Sequence, residues 1–195
     1  MTASSPSRRR LVAVLALLPV IGACSTTPAP QLYTLAPRPG TPNNRFSGSI
    51  SVRRAELAKY LDRPEIVRYS DPYKLGMSEY VRWGEGLSEM VTRVLVEDLA
   101  QRLPRSQPYA ASGPLTLPSP TITIDINIDK FEPDPSGAVV LLAQWVARRE
   151  RSGGEQIRSE QIQVTTGSGD PGAQVAAMSD ALGQLADRIA GGISA

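Results

Sequence analysis

The chain has 195 residues, with 21 Lys or Arg against 19 Asp or Glu, one cysteine and no histidine. This excludes Ser-His-Asp and Cys-His nucleophilic machinery, His-ligated zinc, thiolate clusters and any disulfide within the chain, so neither a metal nor a cofactor is expected. With no long basic run, nucleic-acid binding is not expected either.

Arg8, Arg9 and Arg10 precede an apolar run, Leu11 to Ile21, that ends on Gly22 and Ala23 before the single cysteine, Cys24. That is the layout of a secretory signal peptide. Eleven apolar residues make a helix of roughly 16 Å, about half of a ~30 Å hydrocarbon core, so export and cleavage fit better than a spanning helix. Ile21-Gly22-Ala23-Cys24 resembles the bacterial lipobox, which implies that Cys24 is lipidated and becomes the mature N-terminus. Acyl chains contribute about 0.8 kcal/mol per buried CH₂, so several on one residue anchor stably. Residues 1–23 are thus expected to be a cleaved signal peptide. Their loss removes three arginines and no acid, which leaves a near-neutral chain of 172 residues, enough for one domain with a core.

Residues 24–46, rich in Pro and small polar residues, read as a lipid-anchored tether. Within it, Gln31 to Pro37 places Leu32 and Leu35 around Tyr33, a pattern equally compatible with a docked strand and with an extended tether. Residues 47–195 read as a single domain. Its first part suggests three short strands, carrying Ile50 and Val52, then Ile66, Val67 and Tyr69, then Tyr80, Val81 and Trp83.

The period then changes. Leu87, Met90, Val91, Val94, Leu95, Leu99 and Leu103 follow the spacing of one helical face, stopped by Pro104. Residues 104–120, rich in Pro, Ser and Gly, read as loop. Ile122, Ile124, Ile126 and Ile128 alternate with polar residues in a strand. Its Asp125 and Asp129 would lie roughly 13 Å apart, too far to share an ion, so they belong to a solvated face. "AVVLLAQWVARRE" reads as an interior strand, apolar on both faces. In "EQIRSEQIQVTT" the parity shift between Ile157 and the pair Ile162, Val164 suggests a bulge. The C-terminal helix has Asp170 as N-cap, Pro171 as its first residue, a stripe of Val175, Met178, Leu182, Leu185 and Ile189, and Gly191-Gly192 as its end. The predicted class is α+β: a mostly antiparallel β-sheet with two amphipathic helices packed on one face.

"YLDRPEIV", Tyr60 to Val67, and "SEYVRWGEGL", Ser78 to Leu87, resemble the PqiC-like (YmbA-like) family of ABC-type transport auxiliary lipoproteins. The residues that carry the resemblance are Tyr60, Leu61, Asp62, Arg63, Pro64, Ile66 and Val67, then Arg82, Trp83, Gly84 and Glu85. "YTLAP", Tyr33 to Pro37, also matches, while Gly86 departs from the pattern, which expects a proline there. The resemblance implies an exported lipoprotein that partners an MCE-domain protein of an ABC-type system and helps move lipid or another hydrophobic substrate between membranes. Ser25 after Cys24 implies the outer membrane, with the domain facing the periplasm.

The partner-contact candidates are Tyr60, Leu61, Asp62, Arg63, Pro64, Arg82, Trp83 and Glu85, aromatic and arginine residues being enriched at interfaces. Core packing beneath the first helix for Trp83 and Tyr80, and a turn with a local ion pair for Asp62-Arg63-Pro64, outweigh partner contact as readings of these residues. A homo-oligomer is left open. Two other functions compete with the non-enzymatic auxiliary role. A direct periplasmic lipid carrier requires an apolar cavity between sheet and helices, and an envelope hydrolase would act through Ser or carboxylates, for instance Glu79 and Glu85.

Overall fold

The computed structural model describes residues 29–71, 73–112 and 119–194; Cys24 and the predicted signal peptide lie outside them. The first half contains β1 (Gln31–Tyr33), β2 (Gly48–Val52), β3 (Glu56–Leu57), β4 (Arg68–Asp71), β5 (Lys74–Gly76), β6 (Val81–Trp83) and α1 (Leu87–Arg102). The second contains β7 (Ser106–Ala110), β8 (Ile122–Pro133), β9 (Val139–Arg149), β10 (Glu155–Val164) and α2 (Pro171–Ile193).

The α+β class is as expected, and the main sheet is mixed. Its order is β10-β9-β8-β2-β7, with β3 also paired to β8. β8, β9 and β10 form an antiparallel meander, because tight turns join them: Gly137 and Gly153 hold φ of 87° and 66°, values that glycine adopts without a Cβ penalty. β2 is parallel to both β7 and β8, so the chain between β2 and β7 is a crossover that carries α1. Ile50, Val52 and the even-numbered isoleucines 122 to 128 of β8 are buried in one core with Val94, Leu95, Leu99, Leu182, Leu185 and Ile189 of the helices. The Asp170 carboxylate caps α2 by accepting the Ala173 N–H at 3.1 Å, and Pro171 opens the helix.

Four expectations need correction. Ser106–Ala110, read as loop, is β7; it tolerates Pro108 because it is an edge strand bonded only to β2. The bulge expected in β10 is absent, since its ten residues pair with β9 in unbroken register. The irregularity lies in β8 instead, at Asp129 between Ile128 and Lys130, and Ile157 simply points to the open face opposite Val146. Gly191 and Gly192 do not end α2, which runs to Ile193. Finally, Ile66 and Val67 are buried but precede β4 rather than form it.

Residues 34–46 form a strap along the helices. Leu35 is buried, with its N–H 2.9 Å from Met90 Sδ in α1, and the Ala36 N–H donates to Ser179 Oγ in α2 at 3.2 Å. The Arg38 N–H donates to Asp98 at 2.7 Å, the Asn43 N–H to the Arg102 carbonyl at 2.6 Å, and Phe46 is buried at the end.

Candidate functional site

β6 is the meeting point of the two stretches that the sequence singles out. On one side it pairs in parallel with β1, which places Leu32 beside Arg82 and Tyr33 beside Trp83. On the other side the Trp83 N–H donates to the Pro64 carbonyl at 2.8 Å and the Ile66 N–H to the Val81 carbonyl at 3.2 Å. Alternation then sends Trp83 into the core and Arg82 outward, where its guanidinium pairs with Glu65 at 2.9 Å. Arg63 shares that carboxylate at 3.7 Å.

This ladder opens a cleft of about 360 Å³, lined by Asp62, Arg63, Pro64, Trp83, Glu85, Gly86 and Leu87. Five of the eight partner-contact candidates are therefore brought together. Glu85 is held at the rim by Arg93 of α1 at 2.5 Å, and Arg93 also reaches Glu97 at 3.4 Å. Glu85 is thus engaged in an ion pair. Asp62 continues the surface into a second cleft of about 420 Å³, where Arg54, Glu56 and Ser88 lie. Arg54 there pairs with Glu89 at 2.7 Å, so the rim carries fixed charges of both signs.

The remaining three candidates serve other contacts. Leu61 is buried in the core, and Arg82 lies on the outward face of β6. Tyr60 donates its hydroxyl to Glu132 of β8 at 3.0 Å and lies 3.2 Å from the Asp129 carbonyl. Burial, and then Glu132, hold the Tyr60 hydroxyl far above its ordinary range, so it remains a neutral donor. Burial also raises Glu132, against the Phe131 N–H and Tyr60 bonds that favour its charge. Sequence reasoning missed Gly86 and Leu87 as lining and Glu65 as the shared counter-ion. Glu65 was detectable as a carboxylate two residues after Arg63 in a stretch with strand character. Gly86, where the pattern expects proline, is the N-cap of α1 with φ of −58°, a value proline also holds, so the departure does not alter the backbone.

Another groove, of about 570 Å³, lies on the open face of the sheet, between Arg53 and Asp125 on one side and Val146 and Ile157 on the other. The space between sheet and helices, where a carrier would hold a chain, is filled by Met90, Val94, Leu95, Leu182 and Leu185, none of which reaches solvent. No group of three or more His, Cys, Asp or Glu side chains is placed to hold a metal among the described residues.

The family model of the ABC-type transport auxiliary lipoprotein component matches residues 33–190. The chain belongs to this family. The lipoprotein is thus an auxiliary component of an ABC-type transport system in the cell envelope. No curated protein matches its sequence. Among solved structures, an uncharacterised protein is 19% identical with a TM-score of 0.70, over 85% of this chain and 99% of the other. A DUF330 protein from Xanthomonas campestris is 20% identical with a TM-score of 0.67, over 84% and 95% of the two chains. At these identities the likeness establishes the fold of the lipoprotein. No helix among its described residues is long and apolar enough to cross a membrane.

Proposed function

We propose that this lipoprotein is the non-enzymatic auxiliary subunit of an MCE-type ABC transport system that moves lipid or another hydrophobic substrate between membranes. In this reading it is anchored through lipidated Cys24 in the inner leaflet of the outer membrane. The observation that carries the reading is the convergence of Tyr60–Val67 and Ser78–Leu87 on one cleft. Its backbone is fixed by the β6 ladder, and its rim offers the exposed side chains Asp62 and Pro64 beside the half-buried Arg63. A rigid apolar floor, here Trp83 and Leu87, within a polar rim is the anatomy of a protein-recognition site.

The test is purification of the full-length protein from membranes, wild type beside Asp62→Arg and Arg63→Glu, with mass spectrometry of bound proteins and lipids. Recovery of an MCE-domain protein by the wild type and its loss in both variants supports the reading. Equal recovery by the variants removes the cleft as the contact. Bound lipid with no envelope partner, even after cross-linking, favours the carrier.

A further inference from the structure

Five large hydrophobic side chains are strongly exposed among the described residues: Leu32 at 66%, Tyr73 at 98%, Met77 at 47%, Tyr80 at 43% and Ile157 at 61%. Ile157 lies apart, on β10 at the edge of the main sheet. Leu32, Met77 and Tyr80 lie near where the described chain begins. Leu32 and Arg82 are register partners, and the exposed Tyr80 lies in the turn that leads directly into β6. The Gln31 N–H donates to the Tyr80 carbonyl at 2.7 Å, which fixes the chain start against this turn. Met77 joins the patch through its sulfur, 2.6 Å from the Arg63 guanidinium, whereas Tyr73, at the tip of the β4–β5 hairpin, lies at the opposite end of β5 from Met77.

We infer that this patch is a membrane-docking surface that seats the domain on the headgroup region of the bilayer holding its own anchor. The inference rests on the lipidation of Cys24. Cys24 precedes Gln31 by seven residues, which span at most about 25 Å when fully extended. The patch is therefore the part of the domain tied nearest the lipid. Tyrosine, with an apolar ring and a polar tip, is enriched at membrane interfaces, and arginine stems cover apolar surface while the charge stays wet. Arg63 and Arg82 share Glu65, so the attraction is mainly apolar and persists at high salt. A second, weak membrane contact beside a lipid anchor also limits tumbling. The patch borders the cleft, since Arg82 is followed in β6 by Trp83 and Arg63 lines the cleft.

The experiment uses the full-length protein purified from membranes and placed in phosphatidylethanolamine–phosphatidylglycerol vesicles. An environment-sensitive fluorophore is attached at Met77→Cys, at Tyr80→Cys and, as control, at Ser159→Cys on β10. Vesicle flotation and the refusal of the wild type to take a thiol label report the anchor separately. The expected result is a blue shift at 77 and 80, with quenching by shallow nitroxide lipids at low and high salt, and neither at 159. Labels at 77 and 80 as water-exposed as at 159, in protein that floats, overturn the inference while leaving the anchor intact. A blue shift without lipid quenching overturns it in favour of a protein on the patch. A wild type that takes the label and does not float overturns both.

Discussion

Asp98 in α1 holds the strap by accepting the backbone N–H of Arg38 at 2.7 Å in a fully buried position. Burial raises this carboxyl to about 6, against the Arg38 bond and the nearby Arg102 guanidinium, which favour its charge. The unfolded value is ~3.9. Between the two values the folded chain binds more protons than the unfolded one, so this group makes stability fall as pH rises from about 4 to 6. A separation of that size corresponds to roughly 3 kcal/mol. Asp98→Asn keeps an acceptor for Arg38 without the charge, so it should remove this fall and leave stability at pH 7 unchanged or higher. Asp98→Leu, which strands the N–H, should cost about 1–3 kcal/mol. Thermal unfolding from pH 4 to pH 7.5 separates these outcomes.

Arg102 closes the same cluster from below. Only 2% of its side chain is exposed; it pairs with Asp187 at 2.6 Å and donates to the Arg38 carbonyl at 3.0 Å. Gly40 passes so close over it that a Cβ there would overlap the guanidinium. Arg102→Met is expected to cost about 3–5 kcal/mol, because Asp98 is left as an uncompensated buried charge. Adding Asp98→Asn should recover part of that loss, since the two sites are coupled. Urea denaturation gives the energies, and faster tryptic cleavage after Arg45 reports release of the strap.

The paired glycines of α2 should respond in opposite directions. Nothing lies within 4 Å of a Cβ built on Gly191, whereas one on Gly192 meets the buried Trp145 ring at 2.7 Å. Gly191→Ala is expected to stabilise by up to about 1 kcal/mol through helix propensity. Gly192→Ala should destabilise by about 1–3 kcal/mol, because the Trp145 ring is packed and rigid. Thermal unfolding of the two single variants is sufficient.

These glycines also mark where sequence reasoning reached its limit. In a string of letters Gly-Gly after an apolar stripe signals a helix stop; here it allows α2 to approach Trp145, a residue distant in sequence. β7 was hidden for a similar reason. Pro108 argues against a strand unless one knows that Ser106–Ala110 lies at the edge of the sheet. Periodicity was informative where one face is buried along the whole element, as in α1, α2 and β8. The docking of the strap depends on Asp98, Arg102 and Ser179, which look like ordinary helix-surface residues until α1 and α2 are side by side. For the cleft, local sequence marked its two walls, Asp62–Pro64 and Trp83–Glu85, but not the β6 ladder that joins them.

Tyr60 distinguishes a residue that shapes the site from one that touches a partner. Its hydroxyl donates to Glu132, which is fully buried. The other Glu132 oxygen has no hydrogen-bond donor among the described residues, with Lys130 Nζ at 3.9 Å. Tyr60→Phe removes one of the two hydrogen bonds to a buried carboxyl and should cost about 1–3 kcal/mol. Glu132→Gln keeps an acceptor for Tyr60 and removes the buried charge, so it should cost less. Neither change touches the surface of the cleft, so partner recovery per folded molecule should match the wild type. Asp62→Arg should do the reverse, leaving the denaturation midpoint within about 0.5 kcal/mol of wild type, as for an exposed substitution, while abolishing recovery. Denaturation and pull-down on the same preparations assign each residue. If Tyr60→Phe loses the partner at unchanged stability, Tyr60 belongs to the interface and not to its support.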